Sequence, residues 1–319
     1  MISSLELARL CHVSQGTVDR ALHNRPGISA ATRERILAVA KEHDYLPHPA
    51  MQELLSGRSN LVGGIVPSFE NPFFMDLMHA AKQACVRSRL RLFITPVADR
   101  DEFLEVLSEF ASRRFAGVLA VPPEEDIYLR CSLTASCPVA TFLSSCRGSG
   151  TRLFAPDETA TGETAVDYLA ARGHRRILHV TYSRKARGIA ERTQGYRNAM
   201  KRLRLKPQVH IWSGEVGFEQ ALKQEPPSAI FCHNDWLALA VIRLLNRLGI
   251  DVPEDVSVLG VDNSPTFKAL YPGIATLHYP MEETAGQAVS WISGASEQLP
   301  FAPLPPLQIV ADNTVRSIV

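Results

Sequence analysis

The stretch from residue 61 to residue 262 alternates short apolar runs with longer helical segments, and this pattern constrains the fold more than any other. Runs such as LVGGIVP and VSVLGVD are typical of buried strands, whereas FFMDLMHAAKQACVRS and DWLALAVIRLLNRLG repeat their apolar residues at helical spacing. Strands that alternate with helices on this scale predict parallel sheets with helices on both faces. The predicted fold class is therefore α/β, in which ligands bind beyond the carboxyl ends of strands.

The first 46 residues predict a small all-α unit instead. Three helices can begin after short polar caps: LELARLC after Ser3 or Ser4, a second helix after Ser14, and AATRERILAVAKEHD after Ser29. The helical spacing of Leu5, Ala8 and Cys11 marks an apolar face on the first helix. Only HVS separates the first two helices, which predicts a helix-turn-helix.

The second helix has an apolar face and a polar face. Val18, Ala21 and Leu22 share the side that can pack on a core. The other side carries the amide of Gln15, the carboxylate of Asp19 and the guanidinium of Arg20, and Gly16 leaves space between them. Groups of this kind can read the edges of DNA bases.

Composition excludes several classes of protein. The 319 residues carry a net charge of +1 and contain 45% hydrophobic residues, with no apolar run of the roughly 20 residues that a transmembrane helix needs. The first twelve residues, MISSLELARLCH, do not form a signal peptide, so we expect the chain to stay in the cytoplasm. Residues 1–58 contain seven Lys/Arg and six Asp/Glu, a low charge for DNA binding, which draws much of its affinity from phosphate neutralisation.

No catalytic or metal-binding motif stands out. The six cysteines lack C-x-x-C spacing, and the histidines lack metal-ligand spacing. The sequence also lacks a nucleophile elbow, a P-loop, an H-E-x-x-H and a dinucleotide-binding glycine motif. We therefore predict no enzyme activity, no cofactor and no metal.

The run from Leu5 to Leu54 resembles the DNA-binding head and hinge of the LacI/GalR family of bacterial repressors. Matching residues at fixed spacing carry the resemblance: Leu7-Ala8, Val13-Ser14, Thr17-Val18, Arg20, Ile28-Ser29, Thr32-Arg33 and Tyr45-Leu46-Pro47. The resemblance continues to near the C-terminus and implies a sensor like the periplasmic sugar-binding proteins, with two lobes joined by three crossovers near Asp157, Met281 and Ile309. The domains predicted from it are a head (1–46), a hinge helix and linker (47–60), an N-lobe (61–157 plus 282–308) and a C-lobe (158–281 plus 309–319).

In the family, paired hinge helices enter the minor groove and a leucine wedges between base steps; by position that leucine is Leu54. The resemblance thus implies a homodimer that binds a roughly palindromic operator. The DNA-binding residues predicted from the pattern and the resemblance together are Ser14, Gln15, Gly16, Thr17, Asp19, Arg20, Ser29 and Leu54.

The resemblance also implies a small-molecule effector, a sugar or sugar derivative, between the lobes. The candidate ligand-binding residues follow successive strands: Asn71, Phe73, Phe74, Ser144, Arg192, Asn234, Asp262 and Tyr279. Arginine and carboxylates can hold vicinal hydroxyls, and aromatic faces can stack on a sugar ring. Ser144 lies in a stretch where many members have an aspartate, and Tyr279 stands where many have a glutamine. Trp212 is a further aromatic candidate.

Several of these residues have structural alternatives. Phe73 and Phe74 can belong to the core, Arg192 can lie on the surface, and Asp157 and Asp235 can cap helices. The leading interpretation of the whole chain is a transcriptional regulator, a repressor in keeping with the family, whose DNA affinity responds to a metabolite. The alternative is a solute-binding protein without a regulatory role, which has no use for residues 1–58.

Overall fold

A computed structural model of the chain describes residues 2–22, 24–45, 59–183, 186–294, 304, 307–310 and 313–318. The predicted hinge helix and its Leu54 lie outside these residues. The chain divides into two compact units, Met1–Ser59 and Asn60–Val319. Within the described part, no helix is both long enough and apolar enough to cross a membrane.

The first unit contains three helices, α1 (Ser4–Leu10), α2 (Gln15–Leu22) and α3 (Ala30–Glu42). Ser3 caps α1 in a reciprocal box with Glu6, as the two polar side chains each bond the other's backbone N–H. The three helices share one small core, formed by Leu7, Ala8, Cys11, Val18, Ala21, Ile36 and Ala40. The helix-turn-helix predicted from the caps is confirmed.

One apolar position on α1 differs from the expectation. Leu5 is half exposed, whereas Leu7 is fully buried beside Ala8 and Cys11. Successive residues of an α-helix are rotated by about 100°, so Leu5 is turned by about 200° from Leu7 and points away from the core. The spacing pattern alone did not distinguish these two leucines.

The second unit holds two α/β lobes. Its helices are α4 (Pro72–Arg87), α5 (Arg100–Ser112), α6 (Cys131–Thr134), α7 (Glu158–Ala171), α8 (Arg187–Arg202), α9 (Glu215–Gln224), α10 (Asp235–Arg247), α11 (Pro265–Leu270) and α12 (Met281–Ile292). Its strands are β1 (Leu61–Val66), β2 (Arg91–Pro96), β3 (Gly117–Ala120), β4 (Ile127–Tyr128), β5 (Val139–Thr141), β6 (Cys146–Arg147), β7 (Thr151–Leu153), β8 (Ile177–Thr181), β9 (Gln208–Ile211), β10 (Ala229–Cys232), β11 (Ser257–Asp262), β12 (Ala275–His278) and β13 (Gln308–Val310).

Each lobe is built on one sheet. The N-lobe sheet has the order β2-β1-β3-β5-β7 and is parallel throughout. The C-lobe sheet has the order β13-β12-β11-β10-β8-β9, in which only β13 runs antiparallel to its neighbour. The central strands β1, β3, β10 and β11 are almost wholly buried because helices cover both faces, whereas the edge strands β2 and β9 are partly exposed. The predicted α/β class is confirmed.

The described part of the chain passes between the lobes three times. It crosses from β7 to α7, from β12 to α12, and from α12 to β13, since α12 packs against α4 and β5 of the N-lobe. Of the residues named in the predicted crossovers, Asp157 precedes α7, Met281 begins α12 and Ile309 lies within β13. The crossings bring the carboxyl ends of both sheets to the same cleft.

Candidate functional site

The polar face of α2 is the first candidate site. The Ser14 hydroxyl accepts a hydrogen bond from the Thr17 backbone N–H (3.2 Å), so this residue caps α2 as expected. Gly16 and Arg20 are exposed, whereas Gln15, Thr17 and Asp19 are partly buried. A Cβ atom on Gly16 would meet only the Ser14 hydroxyl, at 3.9 Å, so the fold of this unit does not require a glycine here.

Two of these polar side chains already have partners within the head. Gln15 donates from Nε2 to the Ser4 hydroxyl (2.6 Å), and Asp19 pairs with the Arg25 guanidinium (2.9 Å). The Arg33 guanidinium in turn donates to the Arg25 carbonyl (2.6 Å), which braces the turn after α2. Ser29 caps α3, because its hydroxyl accepts a hydrogen bond from the Thr32 backbone N–H (3.1 Å). It follows α2 in the sequence and is not part of the helix proposed to contact bases.

A cavity of about 400 Å³ lies in the cleft between the two lobes. It is bounded by segments that follow β1, β3 and β5 in the N-lobe and β8, β9 and β10 in the C-lobe, with the last residue of β11. The position agrees with the rule that ligands of open α/β sheets bind beyond the carboxyl ends of strands. Its volume suits a small organic ligand.

Seven of the eight predicted ligand residues line this cavity: Asn71, Phe73, Phe74, Ser144, Arg192, Asn234 and Asp262. Trp212 lines it too. The eighth, Tyr279, departs from the prediction, because it is fully buried behind Phe73 with ring centroids 5.3 Å apart and edge to face. Tyr279 therefore supports the cavity wall from behind.

Close packing of α7 on α8 sets the position of Arg192. A Cβ on Gly162 would lie 2.2 Å from the Arg192 carbonyl oxygen, and one on Gly195 would lie 1.9 Å from the Thr159 carbonyl oxygen. Both positions thus need glycine, because any side chain would push the helices apart. This approach brings the start of α7 against the first turns of α8.

Arg192 is buried and ion-paired with Glu158, the first residue of α7. Its Nε and Nη2 atoms donate to Glu158 Oε2 at 2.8 and 2.6 Å, and its Nη1 donates to the His233 carbonyl. The Arg192 and Glu158 side chains are 3% and 2% exposed, which excludes the alternative that Arg192 lies on the surface. Burial nevertheless raises the pKa of Glu158, with Arg192 opposing that effect.

Asp262 ends β11 in an uncommon backbone conformation, with φ of +130°. Such a conformation is costly for a residue with a side chain and is found most often at functional sites. Burial raises the pKa of Asp262 well above its ordinary range, and the neighbouring Asp235 adds to the rise. The Asp262 carboxyl thus lies in the cavity wall where a charge is poorly solvated.

Asp235 holds the loop that follows Asp262. Its Oδ2 accepts from the Asn263 backbone N–H (2.8 Å), and Gly260 makes room for its Oδ1, which a Cβ there would meet at 2.1 Å. The prediction that Asp235 caps α10 is wrong, because Asn234 is the cap and accepts from the Leu237 N–H (3.0 Å). Asp235 is instead the first residue within the helix, buried under β11.

Helix caps also fix other positions around the cavity. Asn71 caps α4 by accepting from the Phe73 N–H (3.1 Å), and Asp157 caps α7 by accepting from the Ala160 N–H (2.9 Å), as predicted. Phe73 is 4% exposed and belongs to the N-lobe core as well as to the cavity wall, so its place in the core does not exclude contact with a ligand. Parts of the cavity wall in each lobe are therefore held at the capped end of a helix.

Sequence reasoning missed four polar cavity residues: Glu158, Tyr182, Ser183 and His233. Tyr182 donates to Asn234 Oδ1 (3.2 Å), and the pKa of the His233 ring is held well below its usual range by burial and by Arg192, so the ring is neutral. Glu158 follows the cap of a helix, where an acidic residue is ordinary, so no local signal marks it. In the described part of the chain, no group of three His, Cys, Asp or Glu side chains is placed to hold a metal ion.

Comparison with known proteins gives matches to both units. Residues 5–48 match the bacterial regulatory proteins of the lacI family, and residues 166–306 match a periplasmic binding protein-like domain. The HTH-type transcriptional repressor PurR of Aliivibrio salmonicida is 26% identical over 91% of this chain and 90% of its own length. The ribose operon repressor of Haemophilus influenzae is 25% identical over 91% and 90%.

Among solved structures, the Lac repressor dimer bound to operator and the anti-inducer ONPF has the same fold. It superposes with a TM-score of 0.83 at 20% identity and covers 99% of both chains. The two relatives are named as repressors and neither as an enzyme, in agreement with the predicted lack of catalytic activity.

Proposed function

Because the chain belongs to the lacI family of bacterial regulatory proteins, we propose that it is a sequence-specific repressor whose DNA affinity is set by a small molecule. The effector, a sugar or sugar derivative, binds in the cleft between the lobes, and the head binds operator DNA in the cytoplasm. One observation carries the proposal. Seven residues from separate parts of the sequence, each predicted to bind the ligand, line the same cavity.

The residues of the head support a DNA-binding role for the face of α2. Gly16 leaves a gap in that face without being required by the fold, and Arg20 is exposed. A gap next to a guanidinium suits an approach of the helix to base edges in the major groove. The roles proposed for Ser14, Gln15, Thr17, Asp19, Ser29 and Leu54 follow from the resemblance.

The composition of the cavity supports a polyhydroxylated ligand. Asn71, Asn234 and Asp262 offer polar groups, while Phe73, Phe74 and Trp212 offer flat apolar faces for a ring. A relative is named a ribose operon repressor, which supports the same class of effector. The ligand would bridge the lobes, because Asn71 and Phe73 belong to the N-lobe and Arg192 and Asp262 to the C-lobe.

The proposed coupling works through the lobes. A ligand that contacts both sides of the cleft favours one relative arrangement of the lobes, and the ligand's differential affinity for the two arrangements sets the size of the response. In a homodimer, that arrangement changes the spacing of the two heads on a roughly palindromic operator.

Selection of binding sites from random DNA, followed by gel shift, tests this function. We expect enrichment of a two-fold symmetric site and a complex that contains two chains by light scattering. A thermal-shift screen of sugars, sugar phosphates and nucleobases would then identify the effector. Failure to enrich any site, or a stable monomer on the selected site, would contradict the proposal.

A further inference from the structure

The charged groups of the cavity do not balance. Among its described residues, the wall carries one guanidinium, Arg192, against two carboxyl groups, Glu158 and Asp262. The neighbouring His233 ring is neutral, and Arg187 at the start of α8 pairs with Glu191 (2.6 Å). Arg184 and Lys185 lie outside the described residues. If both carboxyl groups are ionised, the described wall carries one more negative charge than positive charge.

The guanidinium of Arg192 already has hydrogen-bond partners within the protein. Glu158 Oε2 accepts from two of its nitrogens, and the His233 carbonyl accepts from the third. A phosphate or carboxylate on a ligand would have to displace Glu158 from a buried ion pair, and it would do so beside Asp262. Breaking a buried pair leaves an uncompensated charge, which is strongly destabilising. The arginine thus positions Glu158 and is poorly suited to receive an anion.

Two acceptor groups remain at the cavity. Glu158 Oε1 is buried and has no hydrogen-bond partner among the described residues, although Glu158 itself is 2% exposed. The Asp262 side chain lines the same wall and makes no hydrogen bond to another described residue. An ionised carboxylate only accepts hydrogen bonds, so both groups call for donors.

The pKa shifts point in the same direction. Burial is the main cause that raises the pKa of both Glu158 and Asp262, and the charge of Glu158 contributes to the rise at Asp262. Arg192 opposes both shifts without cancelling either of them. Each carboxyl group is therefore driven towards its neutral form when the cavity is empty, and a bound cation would favour the ionised form.

We infer that the effector is an aminated polyol, such as an amino sugar, whose protonated amine binds against Glu158 and Asp262. An ammonium group brings three donors, no acceptor and one positive charge, which a hydroxyl does not. The nearby rings of Phe74 and Trp212 favour the same charge, because the face of an aromatic ring attracts cations. This inference rests on the proposed function of the cavity as the effector site.

Titration calorimetry of the full-length chain with matched ligands tests the inference. The panel contains D-glucosamine, D-glucose and N-acetyl-D-glucosamine, the corresponding galactose set, and D-glucose 6-phosphate. Within at least one set we expect the amine to bind at least tenfold more tightly than both the hydroxyl and the N-acetyl member. The N-acetyl group keeps the bulk and removes the charge, so it separates charge from size.

Three variants locate the charge preference. Glu158→Gln and Asp262→Asn should each weaken binding of the amine at least tenfold more than they weaken binding of its hydroxyl counterpart. Glu163→Gln makes the same chemical change one turn further along α7, where the side chain bonds Asn198, and should change neither. If Glu158→Gln does not fold, Asp262→Asn gives the same test, since it keeps the size of the side chain and leaves the Arg192–Glu158 ion pair in place.

Three results would overturn the inference. They are tighter binding of a neutral or phosphorylated member than of any amine, no binding by either amine, and equal loss of amine and hydroxyl binding in both cavity variants. Operator binding by the ligand-free protein is measured in the same samples by fluorescence anisotropy. Operator binding without a preference for amines rejects only the charge inference, whereas no operator binding rejects the proposed function.

Discussion

Gly16 gives a test that separates folding from DNA binding at a single residue. Glycine within a helix costs about 0.5–1 kcal/mol relative to alanine, and a Cβ here meets nothing closer than 3.9 Å. We therefore expect Gly16→Ala to raise the free energy of unfolding by about that amount while it weakens operator binding. Thermal denaturation and anisotropy measure the two effects, and unchanged operator affinity would show that this face of α2 does not approach DNA closely.

Arg20 tests base reading on the same face. If its guanidinium contacts a guanine with two hydrogen bonds, Arg20→Ala should cost about 1–3 kcal/mol on the selected operator and much less on random DNA. The comparison uses both DNAs at one salt concentration. Equal losses on the two DNAs would mean that Arg20 contacts only phosphate.

The outcome for individual residues shows what a sequence can and cannot predict. The caps Ser3, Ser14 and Asp157 were predictable because a cap depends only on the next few residues. The ion pair of Arg192 with Glu158 was not, because it joins residues on two helices and depends on how closely those helices pack at their glycines. For the same reason, nothing local indicated that Tyr279 lies behind Phe73.

At the scale of elements, an ion pair at the turn after α2 involves one of the few cations of the head. Asp19 on α2 holds the Arg25 guanidinium at 2.9 Å, and this ion pair removes one cation that could otherwise contact phosphate. We expect Asp19→Ser to release Arg25. Binding to specific and random DNA should tighten alike, and the slope of log affinity against log salt should steepen by about one.

A salt titration of both proteins on both DNAs measures this effect. Asp167→Asn is a matched control, because it breaks an exposed ion pair between Asp167 on α7 and Arg202 on α8. Weaker binding of Asp19→Ser to the operator alone would contradict the expectation and would indicate that Asp19 reads a base.

Some helices and strands could be predicted from the sequence and others could not, as was the case for individual residues. Strands and helices with strong periodicity, such as β1, α4 and α10, were predicted from sequence. The short elements α9, α11 and β4 were not, because their few residues carry too little periodicity to outweigh their tertiary contacts. None of the missed elements supplies a predicted ligand residue, so the site could be found without them.

At the scale of the molecule, two polar contacts join the lobes across the cleft. Glu125, in the loop after β3, accepts from the Ser145 N–H (2.8 Å) on its own lobe and from the Arg187 N–H (2.9 Å) at the start of α8. Asp76 on α4 accepts from the Thr266 N–H (2.9 Å) and hydroxyl (2.7 Å) on α11. Both contacts stabilise the present arrangement of the lobes.

We expect Glu125→Ala to weaken effector binding about three- to tenfold, since a hydrogen bond to a charged group contributes about 1.5–3 kcal/mol and part of it is regained from water. Calorimetry with the identified effector measures the change. The matched control is Glu124→Ala, at the exposed neighbouring position. Equal effector affinity of the two variants would show that this contact does not bias the lobes.

The central claim is that a ligand in the cleft controls DNA binding by the head. The most direct test is the operator affinity of the full-length chain, measured by anisotropy with and without a saturating effector, for the native protein and for Arg192→Ala. We predict at least a tenfold effect of the ligand on the native protein and none on the variant at the same ligand concentration. The claim would be contradicted if a ligand that calorimetry places in the native cavity left operator affinity unchanged, or if Arg192→Ala responded as the native protein does.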